Sequence, residues 1–177
     1  MYATRVSRRV KAAPARVYRA LVDPEAVVRW RVPHGMTGHV HAFDAREGGA
    51  FRVSLTYDGH GGHDGHGGHD GHDGHAGHDG HGEPSGTGKS DARTDTYHGR
   101  FVRLVPGQLV VEVSEFETDD PALQGAMTMT TSLTEADGGT EIVIVHEGIP
   151  DAVPREDNAL GTRMALDNLA RLVEEDE

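Results

Sequence analysis

Residues 96–116 read TYHGRFVRLVPGQLVVEVSEF and contain two strand-like runs, 96–105 and 108–116, around the turn signal Pro106-Gly107. β-Branched and aromatic residues favour strands, and a Pro-Gly pair between two such runs favours a turn. Four similar runs complete a series of six: 39–44, 51–57, 126–134 and 140–147. Parallel neighbours need long crossover connections, whereas short turns join antiparallel neighbours. We therefore predict a predominantly antiparallel sheet.

Helical patterns flank these strands. A strand at 3–11 is followed by helices at 14–22 and 24–30, with Asp23 as the N-cap of the second helix. The C-terminal segment 156–174 carries apolar residues at helical spacing: Leu160, Met164, Leu169, Leu172 and Val173. The order strand, two helices, six strands and a long helix predicts an α+β fold. The long helix has one natural place to bury its apolar stripe, the concave face of a curved sheet of six or seven strands.

Eight histidines recur at every third position between two of the strands: His60, His63, His66, His69, His72, His75, His78 and His81. Gly, Asp and one Ala separate them, so the segment has almost no apolar surface to bury, and we expect 58–94 to be a disordered loop. Neutral imidazole binds zinc, nickel and copper. In an extended chain neighbouring imidazoles start about 9 Å apart, so chelation requires the chain to fold back, which predicts several exchanging sites. The alternative is a low-complexity expansion whose metal binding is incidental.

The composition bounds the partners and the compartment. The 177 residues carry a formal net charge of −12 with neutral histidines, which disfavours nucleic acid and anionic membrane surfaces as partners. Cysteine, an N-terminal apolar signal segment and a stretch long enough to span a bilayer are all absent from the sequence, so we expect a soluble cytoplasmic protein. We expect 1–177 to be one domain that carries the His-rich insertion.

Several segments together resemble the START-like (SRPBCC) superfamily, in its branch similar to the C-terminal domain of the Hsp90 ATPase activator. They are AAPARVYRALVDPEAVVRW at 12–30, FDAREGGAF at 43–51, TDTYHGRFVRLVPGQLVV at 94–111, GGTEIVIVHEGIP at 138–150 and LGTRMALDNLARLVE at 160–174. The resemblance implies a helix-grip fold, in which the sheet wraps the last helix and encloses a mostly apolar pocket. It implies no shared reaction, because this fold hosts many functions. One departure is that Thr162 follows Gly161, where a Trp is common in such proteins.

The candidate residues for that cavity are of two kinds. The apolar candidates are Trp30, Phe43, Phe101, Phe116, Met127, Met129 and Met164. The polar candidates are His41, Arg46, Glu115 and His146. By the period of two in a strand, His146 shares a face with Ile142 and Ile144, so it points inward if they do. Ordinary core packing accounts for each apolar residue alone, and a single hydrogen bond accounts for a buried neutral His146.

These observations leave four hypotheses of function. The preferred one is a noncatalytic domain that binds a small hydrophobic molecule, requires no cofactor, and carries an accessory loop for divalent zinc, nickel or copper. The second is an enzyme on the same scaffold, a cyclase or hydrolase that uses His41, Glu115 or His146 as acid or base. The third is a chaperone-associated interaction module, which an exposed apolar patch outside the cavity would favour. The fourth is a metal buffer in which the loop itself is the function.

Overall fold

The computed structural model describes residues 1–58 and 94–175. Its elements are β1 (Tyr2–Val10), α1 (Pro14–Leu21), α2 (Pro24–Trp30), β2 (Met36–Phe43), β3 (Ala50–Tyr57), β4 (Thr94–Val105), β5 (Leu109–Phe116), a short 3₁₀ turn (Pro121–Leu123), β6 (Met127–Ala136), β7 (Gly139–Ile149) and α3 (Arg155–Glu174). This order confirms the predicted α+β class. Among the helices of these residues, none has the length and apolar character needed to cross a membrane.

All seven strands form one antiparallel sheet in the order β1-β7-β6-β5-β4-β3-β2. Strands β2 to β7 lie beside their neighbours in sequence, and β1 pairs with β7, where Val6 lies opposite Ile144. Strands β3 and β4 are also paired, with Thr56 opposite Thr94, although residues 58–93 separate the two strands in sequence. The two strands that flank the His-rich segment in sequence are therefore neighbours in the sheet.

Local sequence signals account for the turns and caps. The Asp23 carboxylate accepts a hydrogen bond from the Glu25 backbone N–H at 3.0 Å and so caps α2. Pro14 occupies the first turn of α1, where its missing N–H has no partner to lose. Gly107 has a φ of +73°, which the turn between β4 and β5 requires and which favours glycine. Strand β2 begins at Met36, three residues before the predicted start at 39, because the chain pairs with β3 from there onward.

Helix α3 buries one face in the core on the concave side of the sheet. Leu166, Leu169, Ala170 and Val173 are buried, and their spacing of three, four and seven residues defines a single helical face. Leu160 was predicted on this face but is 51% exposed. At 3.6 residues per turn it lies about a third of a turn away from that face. The docked face positions the N-terminal half of α3 over the remaining concave surface.

Candidate ligand cavity

A cavity of about 280 Å³ lies between α3 and the concave face of the sheet. Its apolar lining consists of Trp30, Pro33, Phe51, Leu55, Phe116, Met127, Met129, Ile144, Val153, Gly161 and Ala165. Its polar lining consists of Arg31, Asp95, Tyr97, Glu112, Ser114, His146, Asp157, Asn158 and Thr162. A concave, mainly apolar lining with a few convergent polar groups is typical of small-molecule sites.

Two larger depressions occur elsewhere on the described surface. One, of about 530 Å³, lies beside α1 and α2, and its charged lining includes Arg16, Arg19, Asp23, Glu25 and Arg29. The other, of about 440 Å³, lies at the end of β1, where its charged lining includes Arg8, Arg9, Lys11, Asp137 and Glu174. Most of these charged side chains are exposed, so both depressions are solvated grooves. The smaller cavity under α3 is therefore the candidate site.

A buried ion pair forms the polar end of this cavity. Arg31 follows the last residue of α2, and its Nη2 donates to both carboxylate oxygens of Glu112, at 2.8 and 2.7 Å. The two side chains are only 11% and 3% exposed. The Arg31 guanidinium also lies 4.8 Å from the centre of the Trp30 ring. Such a pair is fixed in place, because neither charge can be left in the interior without the other.

The Tyr97 side chain interacts electrostatically with Arg31 and extends this polar end. Burial alone would lower the pKa of Arg31, but Glu112 and Tyr97 raise it above its ordinary value, so Arg31 stays charged. Burial raises the pKa of Tyr97, although Arg31 lowers it in part. Tyr97 therefore keeps its proton at neutral pH.

His146 lies on β7 and points into the cavity, on the face of the buried Ile142 and Ile144 that the alternation predicts. The Asn158 side chain links it to β1, because Asn158 Oδ1 accepts from the Thr4 hydroxyl at 2.8 Å and Nδ2 lies 3.2 Å from His146 Nδ1. An amide nitrogen only donates, so Nδ1 is the acceptor and the ring proton is on Nε2. Burial, assisted by Arg31, lowers the pKa of His146 to about 4. At neutral pH His146 is thus an uncharged hydrogen-bond donor.

Ten of the eleven residues named for the cavity from the sequence divide into three groups. Those that line it are Trp30, Phe116, Met127, Met129 and His146. Phe43 and Phe101 belong to the adjoining core, with ring centroids 5.4 Å apart, and Met164 lies on α3 outside the lining. His41 and Glu115 lie on the opposite face of the sheet.

The outer face of the sheet carries His41 and Glu115. His41 Nε2 lies 2.7 Å from Ser54 Oγ, and Glu115 Oε1 lies 3.1 Å from His98 Nε2. Glu115 precedes the cavity residue Phe116, and successive strand residues point to opposite faces, so both could not line one cavity. Arg46, the remaining polar candidate, forms an exposed pair with Asp44 at 2.7 Å. Of the three alternative acid or base candidates, His146 lines the cavity, whereas His41 and Glu115 do not.

The residues that build the polar end were not among those predicted from the sequence to line the cavity. They are Arg31, Tyr97, Glu112 and Asn158. A signal for Glu112 was present, because the period of two in β5 places it on the same inward face as Val110, Ser114 and Phe116. A carboxylate on a buried strand face requires a partner, which would have prompted a search for an inward cation. Arg31 itself carries no comparable signal, since it stands outside any strand alternation.

The predicted metal ligands, His60 through His81, lie outside the described residues. Within 1–58 and 94–175, no group of three or more His, Cys, Asp or Glu side chains is arranged to hold a metal ion. The metal prediction therefore depends on the sequence repeat alone.

The sequence matches the model of a known protein family. The family of Activator of Hsp90 ATPase homolog 1-like proteins matches residues 11–69 and 74–174. The chain belongs to this family. Its structure is START-like, with the helix-grip arrangement of a sheet around a C-terminal helix. No curated protein is similar to the chain at a significant level.

Solved structures support the family assignment. The chain is 32% identical to a protein from Chromobacterium violaceum, with 98% of each chain covered and a TM-score of 0.76. It also resembles proteins from Rhodobacter sphaeroides, at 18% identity, 99% and 95% coverage and a TM-score of 0.70, and from Nitrosomonas europaea, at 16%, 99% and 96%, and 0.66. The last two likenesses concern the fold alone. Membership of the family is consistent with a ligand-binding domain, and the fold by itself assigns no ligand.

Proposed function

We propose that this domain binds a small, mainly apolar molecule in the cavity between α3 and the sheet. The observation that carries the proposal is the lining, in which Trp30, Phe116, Met127 and Met129 surround a polar end built on Arg31. Thioethers and aromatic rings adapt to ligands of irregular shape, and the fixed polar groups orient them.

The distribution of apolar residues on the surface favours ligand binding over a protein interaction module. The large apolar side chains exposed in the described part of the chain are Met1, Val102 and Leu160. They lie at the N-terminus, on β4 and on α3, and do not belong to one element. Scattered single apolar residues are usual on monomeric proteins, whereas interaction sites tend to be contiguous patches.

Native mass spectrometry of protein purified without an affinity tag or added metal tests the proposal, because it detects a retained organic ligand and ions together. We expect an organic molecule to accompany the folded chain. Gly161→Leu should abolish its retention, because Gly161 lines the cavity and an added Cβ meets no atom within 4 Å. Arg163→Leu is the matched control, because Arg163 is exposed on the same helix. Equal ligand retention by both variants would contradict binding in this cavity.

We further propose that the His-rich loop, 58–94, is an accessory that binds divalent zinc, nickel or copper. The support is the eight-fold repeat of imidazole with interspersed carboxylates. Titration with nickel or zinc should show more than one ion per chain, with steps of about micromolar strength or weaker, and binding should disappear as the pH falls through about 6.5. Removing histidines one at a time should weaken binding gradually. A single tight site that one substitution abolishes would contradict this model.

A further inference from the structure

Resting on the proposed ligand binding, we propose that the cavity selects an apolar ligand that carries a neutral acceptor oxygen, such as a ketone carbonyl, and discriminates against carboxylates. The inference follows from the hydrogen bonds and the charges at the polar end.

Hydrogen-bond donors exceed acceptors around Arg31. Its Nη2 serves both oxygens of Glu112, but the buried Nε has no acceptor among the described residues. His146 adds a second donor, because Asn158 occupies its Nδ1 and leaves the Nε2–H without a partner in the described part of the chain. Arg31 and His146 both line the cavity. The Arg31 Nε has almost no accessible surface, so the donor within reach of a ligand is the His146 Nε2–H, and an oxygen that accepts from it would reduce this surplus of donors.

Charge argues against an anionic ligand at this position. The cavity lining contains one guanidinium, Arg31, and three carboxylates, Asp95, Glu112 and Asp157. Arg31 is already paired with Glu112, and His146 is uncharged at neutral pH. A ligand carboxylate would therefore lie close to Glu112 without an unpaired cation to offset it, in an interior where like charges repel strongly. A carbonyl oxygen accepts the same hydrogen bonds and adds no charge.

A cationic ligand group is also disfavoured beside the hydrogen-bond donors of Arg31 and His146. A ligand ammonium group beside Arg31 would meet a guanidinium and the N–H of His146, which offer it no lone pair. Of the two lining carboxylates outside the ion pair, Asp95 already takes part in another interaction, and the exposed Asp157 could attract a cation only at the cavity edge, where solvent screens the interaction. A neutral oxygen can accept a hydrogen bond at this position without disturbing the ion pair between Arg31 and Glu112.

The volume limits the size of the ligand. The cavity of about 280 Å³ is near the lower end of the ~300–1,000 Å³ that is common for ligand sites. Two fused rings with a short substituent are a suitable probe. We choose three naphthalenes of nearly equal shape: 2-acetylnaphthalene, a neutral ketone; 2-naphthoate, an anion; and 1-(2-naphthyl)ethylamine, a cation at neutral pH.

Ligand-observed NMR titrations of the full chain with these three probes at pH 7.5 test the proposal. We expect the ketone to bind at least tenfold more tightly than the naphthoate or the amine. His146→Leu removes the Nε2–H donor and should weaken binding of the ketone at least fivefold while the naphthyl group still binds. His98→Leu, which removes a histidine from the outer face of the sheet, should leave the preference unchanged. Circular dichroism verifies that each variant is folded.

An infrared measurement on the wild-type protein makes the test independent of how the variants fold. The carbonyl stretching frequency of bound 2-acetylnaphthalene should fall below its value in hexane, because hydrogen bonding weakens the C=O bond. Equal affinity for all three probes would overturn the selectivity and leave the proposed function standing. Tighter binding of the naphthoate or the amine, or an unshifted carbonyl band, would also overturn the selectivity. Failure of all three probes to bind would overturn both proposals.

Discussion

Gly161→Leu should stabilise the protein and block its cavity at the same time. Glycine within a helix costs about 1 kcal/mol relative to a good helix former, and Gly161 lies inside α3. A Cβ at this position meets no atom within 4 Å, so the new side chain enters open space in the cavity. Its four carbons would contribute about 3 kcal/mol if fully buried, at about 0.8 kcal/mol each, and we take about half of that because the cavity is open at one edge. The expected gain is about 2 to 2.5 kcal/mol.

Urea unfolding followed by circular dichroism measures the gain in unfolding free energy, and NMR titration with 2-acetylnaphthalene measures the loss of binding. The control Arg163→Leu changes the same helix on an exposed position and should leave binding intact. A destabilised Gly161→Leu would show that the space beside Gly161 is not accessible to a side chain. A stabilised variant with unchanged affinity would refute the cavity as the ligand site.

Four further predictions concern the ion pair, the buried histidine, the core and the insertion. Arg31→Met should lower the unfolding free energy, measured in urea, by about 3 to 5 kcal/mol, because Glu112 is left buried and unpaired. The double variant Arg31→Met with Glu112→Leu should recover most of that loss. A double variant as unstable as the single one would contradict this explanation. The pKa of His146 is lowered from 6.5 to about 4 in the folded protein, so the unfolded chain takes up a proton first as the pH falls, and the unfolding free energy should decrease by on the order of 3 kcal/mol when the pH is lowered from 6.5 to 4. His146→Gln should lack this component of the pH dependence. A pH profile that is the same in the wild type and the variant would refute the prediction. Leu169→Ala should cost roughly 2 to 5 kcal/mol in the same assay, since Leu169 is 0% exposed, and a change within experimental error would mean that α3 is docked differently. Deletion of 59–93 with an Asn-Gly turn in its place should retain cooperative thermal unfolding, because β3 and β4 are paired up to the deletion and loop length changes closure entropy by only about 0.6 kcal/mol per doubling; a broad, non-cooperative transition would show that the segment is structural.

The fold was predictable from the sequence because several local signals agree with one another. The alternation of residues 96–116, the Pro106-Gly107 turn and the Asp23 cap each specify a strand, a reversal or a helix start through short-range physics. Short connections then leave few ways to arrange six consecutive strands. The position of β1 at the β7 edge is a long-range pairing, and only the family resemblance bears on it.

The candidate site was harder to predict, for a reason that Glu115 and Phe116 illustrate. Both were named for the cavity by residue type, although adjacent positions on a strand face opposite sides. Applying the alternation strictly would have replaced Glu115 with Glu112. The partnership of Glu112 with Arg31 spans 81 positions in sequence and joins a strand to the end of a short helix. No local pattern reports such a contact, so it becomes visible only when the fold is assembled.

Stability alone does not explain the polar end of the cavity. A buried ion pair gains little over apolar residues of the same volume, since desolvation offsets most of the attraction, and exchanging such a pair for apolar residues is often neutral or stabilising. Here the pair also leaves one guanidinium nitrogen, Arg31 Nε, buried without an acceptor, which adds a further cost. At the other side of the cavity Thr162 directs its hydroxyl back to the Asn158 carbonyl at 3.0 Å, and the absence of a side chain at Gly161 leaves open space beside it. Open volume next to unsatisfied donors is destabilising in the empty protein and useful in the occupied one. A ligand that fills this space and accepts a hydrogen bond from the His146 Nε2–H would recover part of that cost.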